Sequence, residues 1–252
     1  MQKKLLSIIT VVKNDEQNIQ KTIKSIINQK NIKYEYIIIE GKSQDNTLKK
    51  ILKYKNKINK IISKKDNGIY DAMNKGLKVA KGEIIVFCNS GDFFYKNSLQ
   101  KVMYLFDKFN YDFVFGTVLR NYTKGKILKF GFNFNRMLYN FDFATSHSTG
   151  FFLKKKIYNL IGNYNTKFKI SADYDLYFRL YKKNLKGGYT KKNQKIGNMK
   201  SGGYSSKVSF LKHLIEETKI RLHNSQNIFY VFLIFINSVF KNFHKIFFQN
   251  KK

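Results

Sequence analysis

Three runs of branched apolar residues, at 5–12, 36–39 and 83–88, constrain this chain more than any other feature. A strand that is apolar at every position has both faces buried, which happens in parallel sheets covered by helices on each side. The stretches between the runs have helical period instead. Residues 16–28 put Ile19, Ile23, Ile26 and Ile27 on one stripe, and residues 70–80 put Tyr70, Met73, Leu77 and Ala80 on one face. A further helix near 47–54 and a strand at 58–63 complete a β-α-β-α-β-α-β order. The predicted fold class is therefore α/β, a Rossmann-type, mainly parallel central sheet flanked by helices. Ligands of such sheets sit beyond the carboxyl ends of the strands.

From residue 97 the pattern changes. It predicts a helix at 99–109, a strand at 112–116, a hairpin through Lys124-Gly125, a strand at 150–153, and an amphipathic helix at 173–184 with Tyr174, Tyr177, Phe178 and Tyr181 on one side. Helix follows again at 207–223, then the apolar stretch 228–236 with Val239, Phe240, Phe243, Ile246, Phe247 and Phe248 after it. This divides the chain into a domain at 1–205, with a nucleotide half at about 1–96 and an acceptor half at about 97–205, and a helical C-terminal extension at 206–252. A membrane-spanning helix needs ~20 apolar residues, and Asn237, Ser238, Lys241 and Asn242 interrupt the segment 228–248. Attachment to an anionic membrane surface is one reading of that segment, and packing on its own domain or on a second subunit is the other.

The 48 Lys and Arg outnumber the 16 Asp and Glu to leave a charge of +32, which attracts polyanions. Abundant Lys, Asn and Ile with no Pro or Trp also fits a codon bias, and the lysines are spread along the chain rather than gathered in one arm. This argues against a dedicated nucleic-acid binder. The 17 Tyr and 24 Phe could stack on bases, but most occupy core-periodic positions. Cys88 has no cysteine partner, so a disulfide framework and a CxxC metal site are both excluded. A reducing, cytoplasmic compartment is expected. The N-terminal apolar run is short and lacks a cleavage site, so it reads as a first strand rather than a signal peptide.

Polar residues collect where the apolar runs end: Lys13-Asn14-Asp15, Glu40-Gly41-Lys42-Ser43-Gln44-Asp45-Asn46-Thr47, and Asn89-Ser90-Gly91-Asp92. Any one of these loops is an ordinary turn or helix cap. Three on the same sheet edge point to a site for ribose hydroxyls and phosphate.

The stretch Asp66-Asn67-Gly68-Ile69-Tyr70-Asp71-Ala72-Met73-Asn74-Lys75-Gly76, followed by Gly82-Glu83-Ile84-Ile85 and Asn89-Ser90-Gly91-Asp92, resembles the family 2 inverting glycosyltransferases of the GT-A fold, and among them the bacterial exopolysaccharide and colanic-acid enzymes. The similarity runs from Leu6 to Asp92, resumes near His147 and returns at Ser171-Ala172-Asp173-Tyr174-Asp175-Leu176. The resemblance implies that Thr10 to Val12 floor a nucleotide pocket and that Glu40, Ser43 and Asp45 lie near base and ribose, with Glu40 replacing the family's usual aspartate. It also implies that Asp66 and Asn74 face the nucleotide, with Lys75 nearby.

Asn89, Ser90, Gly91 and Asp92 occupy the family's Asp-x-Asp metal motif, where only Asp92 keeps a carboxylate. One carboxylate can hold Mn²⁺ or Mg²⁺ when phosphate oxygens and water complete the shell. Asp173 falls where the family keeps its catalytic base, one register step from Asp175; both also read as first-turn acids of a helix. His147 matches a position near the donor phosphates or the acceptor, where a structural histidine is the plain reading. His213, His223 and His244 have no metal-ligand spacing.

The activity so implied is transfer of a sugar, with inversion, from a nucleotide-diphosphate donor, expected to be UDP-linked, to a carbohydrate or lipid-linked acceptor in surface polysaccharide synthesis, at the cytoplasmic face of the inner membrane. A sugar-1-phosphate nucleotidyltransferase is the neighbouring alternative, but the loop after the first run, Val12-Lys13-Asn14-Asp15-Glu16, lacks the glycines that hold a triphosphate. A basic nucleic-acid-binding protein and a non-catalytic relative are the others.

Overall fold

The computed structural model describes residues 4–122, 125–139, 148–203, 206 and 208–243. The first half alternates strand and helix as its periodicity requires: β1 (Leu6–Val12), α1 (Ile19–Ile27), β2 (Tyr34–Glu40), α2 (Thr47–Leu52), β3 (Lys60–Ser63), α3 (Ile69–Val79) and β4 (Ile84–Phe87). The second half adds β5 (Phe93–Phe94), α4 (Leu99–Phe109), β6 (Phe113–Phe115), β7 (Thr117–Tyr122), β8 (Gly125–Lys129), α5 (Phe134–Tyr139), β9 (Phe151–Lys154), α6 (Lys155–Ile161), α7 (Ala172–Tyr181), β10 (Gly187–Tyr189) and β11 (Lys195–Met199). Two helices follow, α8 (Phe210–His223) and α9 (Ile228–Lys241).

Seven strands form one sheet in the order β10-β6-β9-β4-β1-β2-β3. Its pairs are parallel except those made by β9, which runs against both β4 and β6. A smaller sheet, β5-β11-β7-β8, stands beside it and includes the predicted hairpin as the antiparallel β7–β8 pair. All seven residues of β1 are buried. Alternate residues feed two cores: Ile9 and Val11 meet α3, α6 and α7, while Leu6, Ile8 and Val12 meet α1 and α4. The sheet continues across residues 96 and 97, so the nucleotide and acceptor halves share it.

Several expected boundaries shift. The strand expected at 58–63 begins at Lys60, after a short 3₁₀ turn at Lys55–Lys57. Helix α7 is not amphipathic as predicted: Tyr174, Asp175, Leu176, Tyr177, Phe178 and Leu180 are all buried, because α8 covers the face that would otherwise meet water. Helix α8 begins at Phe210 rather than 207 and places Ile220 in the main core. Strands β5, β10 and β11 had no sequence signal, since strands of two to five residues are too short to show a period.

Gly76 shows why the glycosyltransferase-like stretch is shaped as it is. A Cβ there would lie 2.6 Å from Ile9 Cγ2 and 3.5 Å from Ile39 Cγ1, so α3 rides directly on the two central strands. Gly76→Ala is expected to destabilise the protein by about 1–2 kcal/mol, the overpacking penalty exceeding alanine's better helix propensity. Urea unfolding would measure it, with Gly203→Ala, whose Cβ meets nothing within 4 Å, as the neutral control.

Candidate active site

The carboxyl ends of β1 and β4, the start of α3, the end of β7, the start of α7 and the loop after β11 surround a cleft of about 620 Å³. Its floor is Val11 and Val12, and Lys13, Asn14, Asp15, Asn89, Ser90 and Asp92 form one wall. Across from them stand Tyr70, Tyr164, Ile170 and Asp173, with Tyr70 and Tyr164 stacked at 5.5 Å between ring centroids. Arg120, Tyr122, Met199 and Lys200 close the third side.

Asp92 sits in the wall almost wholly buried. Its Oδ2 accepts the Thr149 hydroxyl at 2.8 Å and its Oδ1 accepts the Lys200 backbone N–H at 2.8 Å. Burial pushes its pKa up to about 6, against the pull of those two hydrogen bonds and of the Arg120 and Lys200 charges. Gly91 beside it takes φ 93°, and any side chain there would collide with Lys200 Cδ at 2.5 Å. The adjacent Asn89 Oδ1 is buried with no hydrogen-bond partner. A carboxylate oxygen has two lone pairs and Asp92 spends one on each, so acceptor capacity remains at both residues. Oxygen donors of this kind suit Mg²⁺ or Mn²⁺ when a diphosphate supplies further ligands, and the residues present fit such an ion.

Asp15 belongs to the same wall, as its loop at this sheet edge implies, although nothing in the sequence singled it out for a role. It accepts from Ser90 Oγ at 2.7 Å and lies 3.6 Å from Lys200 Nζ. Arg120 and Lys200 had no sequence signal either, because β7 and β11 were not legible as neighbours. The one available hint was a lysine followed by Ser201-Gly202-Gly203.

Asp173 opens α7 facing the cleft. Its Oδ1 lies 3.1 Å from the Tyr70 hydroxyl and accepts the Tyr174 N–H at 3.0 Å. Asp175, its competitor, points the other way: it is fully buried, paired with Arg179 at 2.9 Å and bonded to Asn224 Nδ2 at 2.8 Å. Burial pushes the Glu217 carboxyl up to about 8, with Arg221 opposing and the Asp173 charge adding.

Other expected site residues lie elsewhere. Thr10 is beneath the floor rather than on it, its hydroxyl spent on the Cys88 carbonyl at 2.7 Å and on Tyr36. Glu40 is buried; burial raises its pKa, but hydrogen bonds from Ser43 and Ser63 outweigh this and hold it below the ordinary value. Asp45 accepts the N–H groups of Glu16 and Thr47, and Ser43 Oγ accepts the N–H of Asn14. Ser43 and Asp45 stitch the loops after β1 and β2 together, Glu40 ties its own loop to β3, and none of the three lines the cleft.

Asp66 turns the chain into α3 by accepting the Gly68 N–H, and its other oxygen rests against Gly41 beside Lys13, at the rim. Asn74 does not face the cleft, since both ends of its amide bond the backbone of Tyr164. Lys75 turns to the Lys65 carbonyl and Asp71. His147 lies outside the described residues.

A family model described as Glycosyl transferase family 2 matches residues 7–185. The chain is 34% identical over 118 residues to the poly(ribitol-phosphate) beta-N-acetylglucosaminyltransferase TarP of Staphylococcus aureus, covering 45% of this chain and 36% of that protein. It is 26% identical over 184 residues to a PGL/p-HBAD biosynthesis glycosyltransferase of Mycobacterium bovis, 70% of each chain. The chain thus spans about a third of the first relative and more of the second. Among solved structures, S. aureus TarS 1–349 in complex with UDP-GlcNAc superposes with a TM-score of 0.72 at 20% identity, over 94% of this chain and 72% of that one. The mannosyltransferase PcManGT of Pyrobaculum calidifontis in complex with GDP-Man and Mn²⁺ gives 0.63 at 14% identity, over 89% and 64%.

Because the Asp92 pKa is raised by folding, its contribution to stability is complete below pH 4 and is lost as pH rises through about 6. Asp92→Asn carries no charge to bury and can still accept from Lys200 while donating to Thr149. In metal-free buffer this variant should be more stable than the parent at pH 8 by roughly 1–3 kcal/mol, with no advantage at pH 4. Urea unfolding at the two pH values tests it.

Proposed function

Because this chain belongs to glycosyl transferase family 2, we propose that it transfers a sugar from a nucleotide-diphosphate donor, UDP-linked, to a carbohydrate or lipid-linked acceptor of a surface glycan, with inversion at the anomeric carbon. The observation that carries this reading is that Asp92 and Asp173 face one cleft at the carboxyl edge of the parallel strands, with Arg120 and Lys200 beside Asp92. The cations beside Asp92 suit a diphosphate, and the Asp173 carboxylate suits proton removal.

In this reading the stacked Tyr70 and Tyr164 give the sugar an apolar wall. Arg120 and Lys200 hold the diphosphate in place, and Asp92 with Asn89 would hold a divalent ion. That ion, when bound, neutralises charge developing on the leaving diphosphate. Asp173 takes the proton from the acceptor hydroxyl as that oxygen attacks from the side opposite the leaving group. The hydrogen bonds to Oδ1 from Tyr70 and the Tyr174 N–H fix the plane of the carboxylate beforehand. Glu40, Ser43, Asp45, Asn74 and Lys75 act at one remove, by fixing the loops and helices that carry this machinery.

Asp173→Asn should lower turnover at least ~10²-fold, the scale of a lost general base, with donor binding retained. Asp92→Ala should abolish the extra thermal stabilisation that Mn²⁺ gives in the presence of UDP. Mn²⁺ binding should weaken as pH falls, because protons compete with the ion for an Asp92 carboxylate whose pKa burial raises. A panel of UDP- and GDP-sugars, read by melting temperature and by release of the nucleotide, is the test. Failure of every donor to stabilise the protein, or normal turnover by Asp173→Asn, rejects the reading.

A surface feature supports an acceptor held at a membrane. Helix α9 touches the rest of the fold through Val231, Ile234 and Ser238, while Ile228, Phe229, Phe232, Leu233 and Phe240 are exposed along its other side. No described helix is long and apolar enough to cross a membrane. A largely apolar outer face on a chain of charge +32 fits the interface of an anionic bilayer better than a second copy of the same charge. The protein should co-sediment with phosphatidylglycerol vesicles and not with phosphatidylcholine alone, and Phe229→Ser with Phe232→Ser should release it. Concentration-dependent dimerisation without vesicle binding would show the stripe to be a subunit contact instead.

A further inference from the structure

Helix α8 lies beyond the matched segment 7–185, yet it fixes the chain just before Asp173. Glu216 Oε1 accepts the backbone N–H groups of Ile170 and Ser171, both at 2.7 Å, and its Oε2 accepts that of Lys169 at 2.9 Å. Three successive N–H groups aimed at one carboxyl form an anion-binding nest, and a carboxylate bonds such donors more strongly than a neutral group does. The segment has need of it. The N-cap of α7, Ser171, makes no side-chain capping bond of its own.

The grip is two-sided at one residue. While Glu216 holds the Ile170 N–H, the Tyr70 hydroxyl from α3 lies 2.9 Å from the Ile170 carbonyl oxygen and 3.1 Å from Asp173 Oδ1. Ile170 itself lines the cleft. Docking of α8 does not depend on Glu216, because Arg221 bonds the carbonyls of Met137 and Leu138 and Asn224 bonds Asp175. The contact of Glu216 is with the loop that delivers Asp173 to the cleft.

We propose that Glu216 is a positioning residue for the transfer reaction, holding residues 169–171 so that Asp173 presents its carboxylate to the acceptor side of the cleft. The C-terminal helix α8 is then part of the working site. This rests on the reading of Asp173 as the base. Without the Glu216 carboxyl three N–H groups lose their partner and the loop can shift, and a displacement of about 1 Å in a reacting group costs on the order of 100-fold in rate.

The test uses the full chain with whichever of UDP-glucose or UDP-N-acetylglucosamine the parent turns over faster. Glu216→Ala should lower kcat roughly 30- to 100-fold with the donor KM within about twofold, and amides 170–174 should exchange with deuterium faster while those of β1 do not change. Glu216→Gln keeps one acceptor oxygen and should recover most of the loss, which also provides a readout if the alanine variant folds poorly. A Glu216→Ala kcat within twofold of the parent overturns the proposal, as does an equal kcat loss in Asn224→Ala, which loosens α8 without touching residues 169–171. Asp173→Asn in the same assay separates the two claims. Near-normal turnover there defeats the base assignment and this inference with it, whereas an inactive Asp173→Asn beside an unimpaired Glu216→Ala defeats the positioning role alone.

Discussion

Strand β1 is buried along its whole length and pairs in parallel with β2 on one side and β4 on the other. Its backbone N–H and C=O groups can be satisfied only inside the sheet, since no water reaches them. The first place this strand can turn polar is at its carboxyl end, and β2 and β4 end at the same edge. The loops carrying Lys13, Asn14 and Asp15, then Glu40 to Thr47, then Asn89 to Asp92 are thereby forced into one neighbourhood. The cleft is a consequence of that register, and each strand end brings its loop whether or not the loop binds anything.

What the loops then do is decided by competition for hydrogen bonds. The side chains of Asn14, Glu16, Ser43, Asp45 and Thr47 accept backbone N–H groups across the gap between the β1 and β2 loops, from Gln44, Asn46, Asn14, Glu16 and Asp15 respectively. That network rigidifies the rim and consumes groups that would otherwise look available for a ligand. Asp92 is the opposite case. It is drawn inward between Thr149 and Lys200, where burial works against its charge, and it remains beside a buried Asn89 oxygen with no partner of its own. A carboxylate kept at such a disadvantage, with acceptor capacity unspent, is what a cation would relieve.

The C-terminal helices divide between these two roles. Helix α8 puts Ile220 into the core, inserts the buried Arg221 against the rings of Tyr174 and Phe178, and reaches the Asp173 loop through Glu216. Helix α9 gives up little surface to the fold and keeps its apolar stripe outside. One helix thus reaches the Asp173 loop, and the other keeps an exposed apolar face.

The sequence by itself determined the α/β class, the parallel run of β1 to β4, the edge on which a ligand must sit, and the family, because strand burial on both faces and the spacing of Asp66 to Gly76 are local patterns. The family resemblance singled out Asp92 and Asp173, and both line the cleft. The sequence itself could not tell Asp173 from Asp175, since both stand in the first turn of α7; Asp175 turns to Arg179 one turn along the same helix and to Asn224 beyond α8, whereas Asp173 lines the cleft. Nor could it show that Asn74 serves Tyr164, that Glu40 and Asp45 brace loops, or that Arg120, Lys200 and Glu216 belong with residues about 30 to 110 positions away; these long-range pairings carry no period. Direction along a strand is written in the chain, whereas the partner of a polar side chain is settled only when the layers close and every buried donor must find an acceptor.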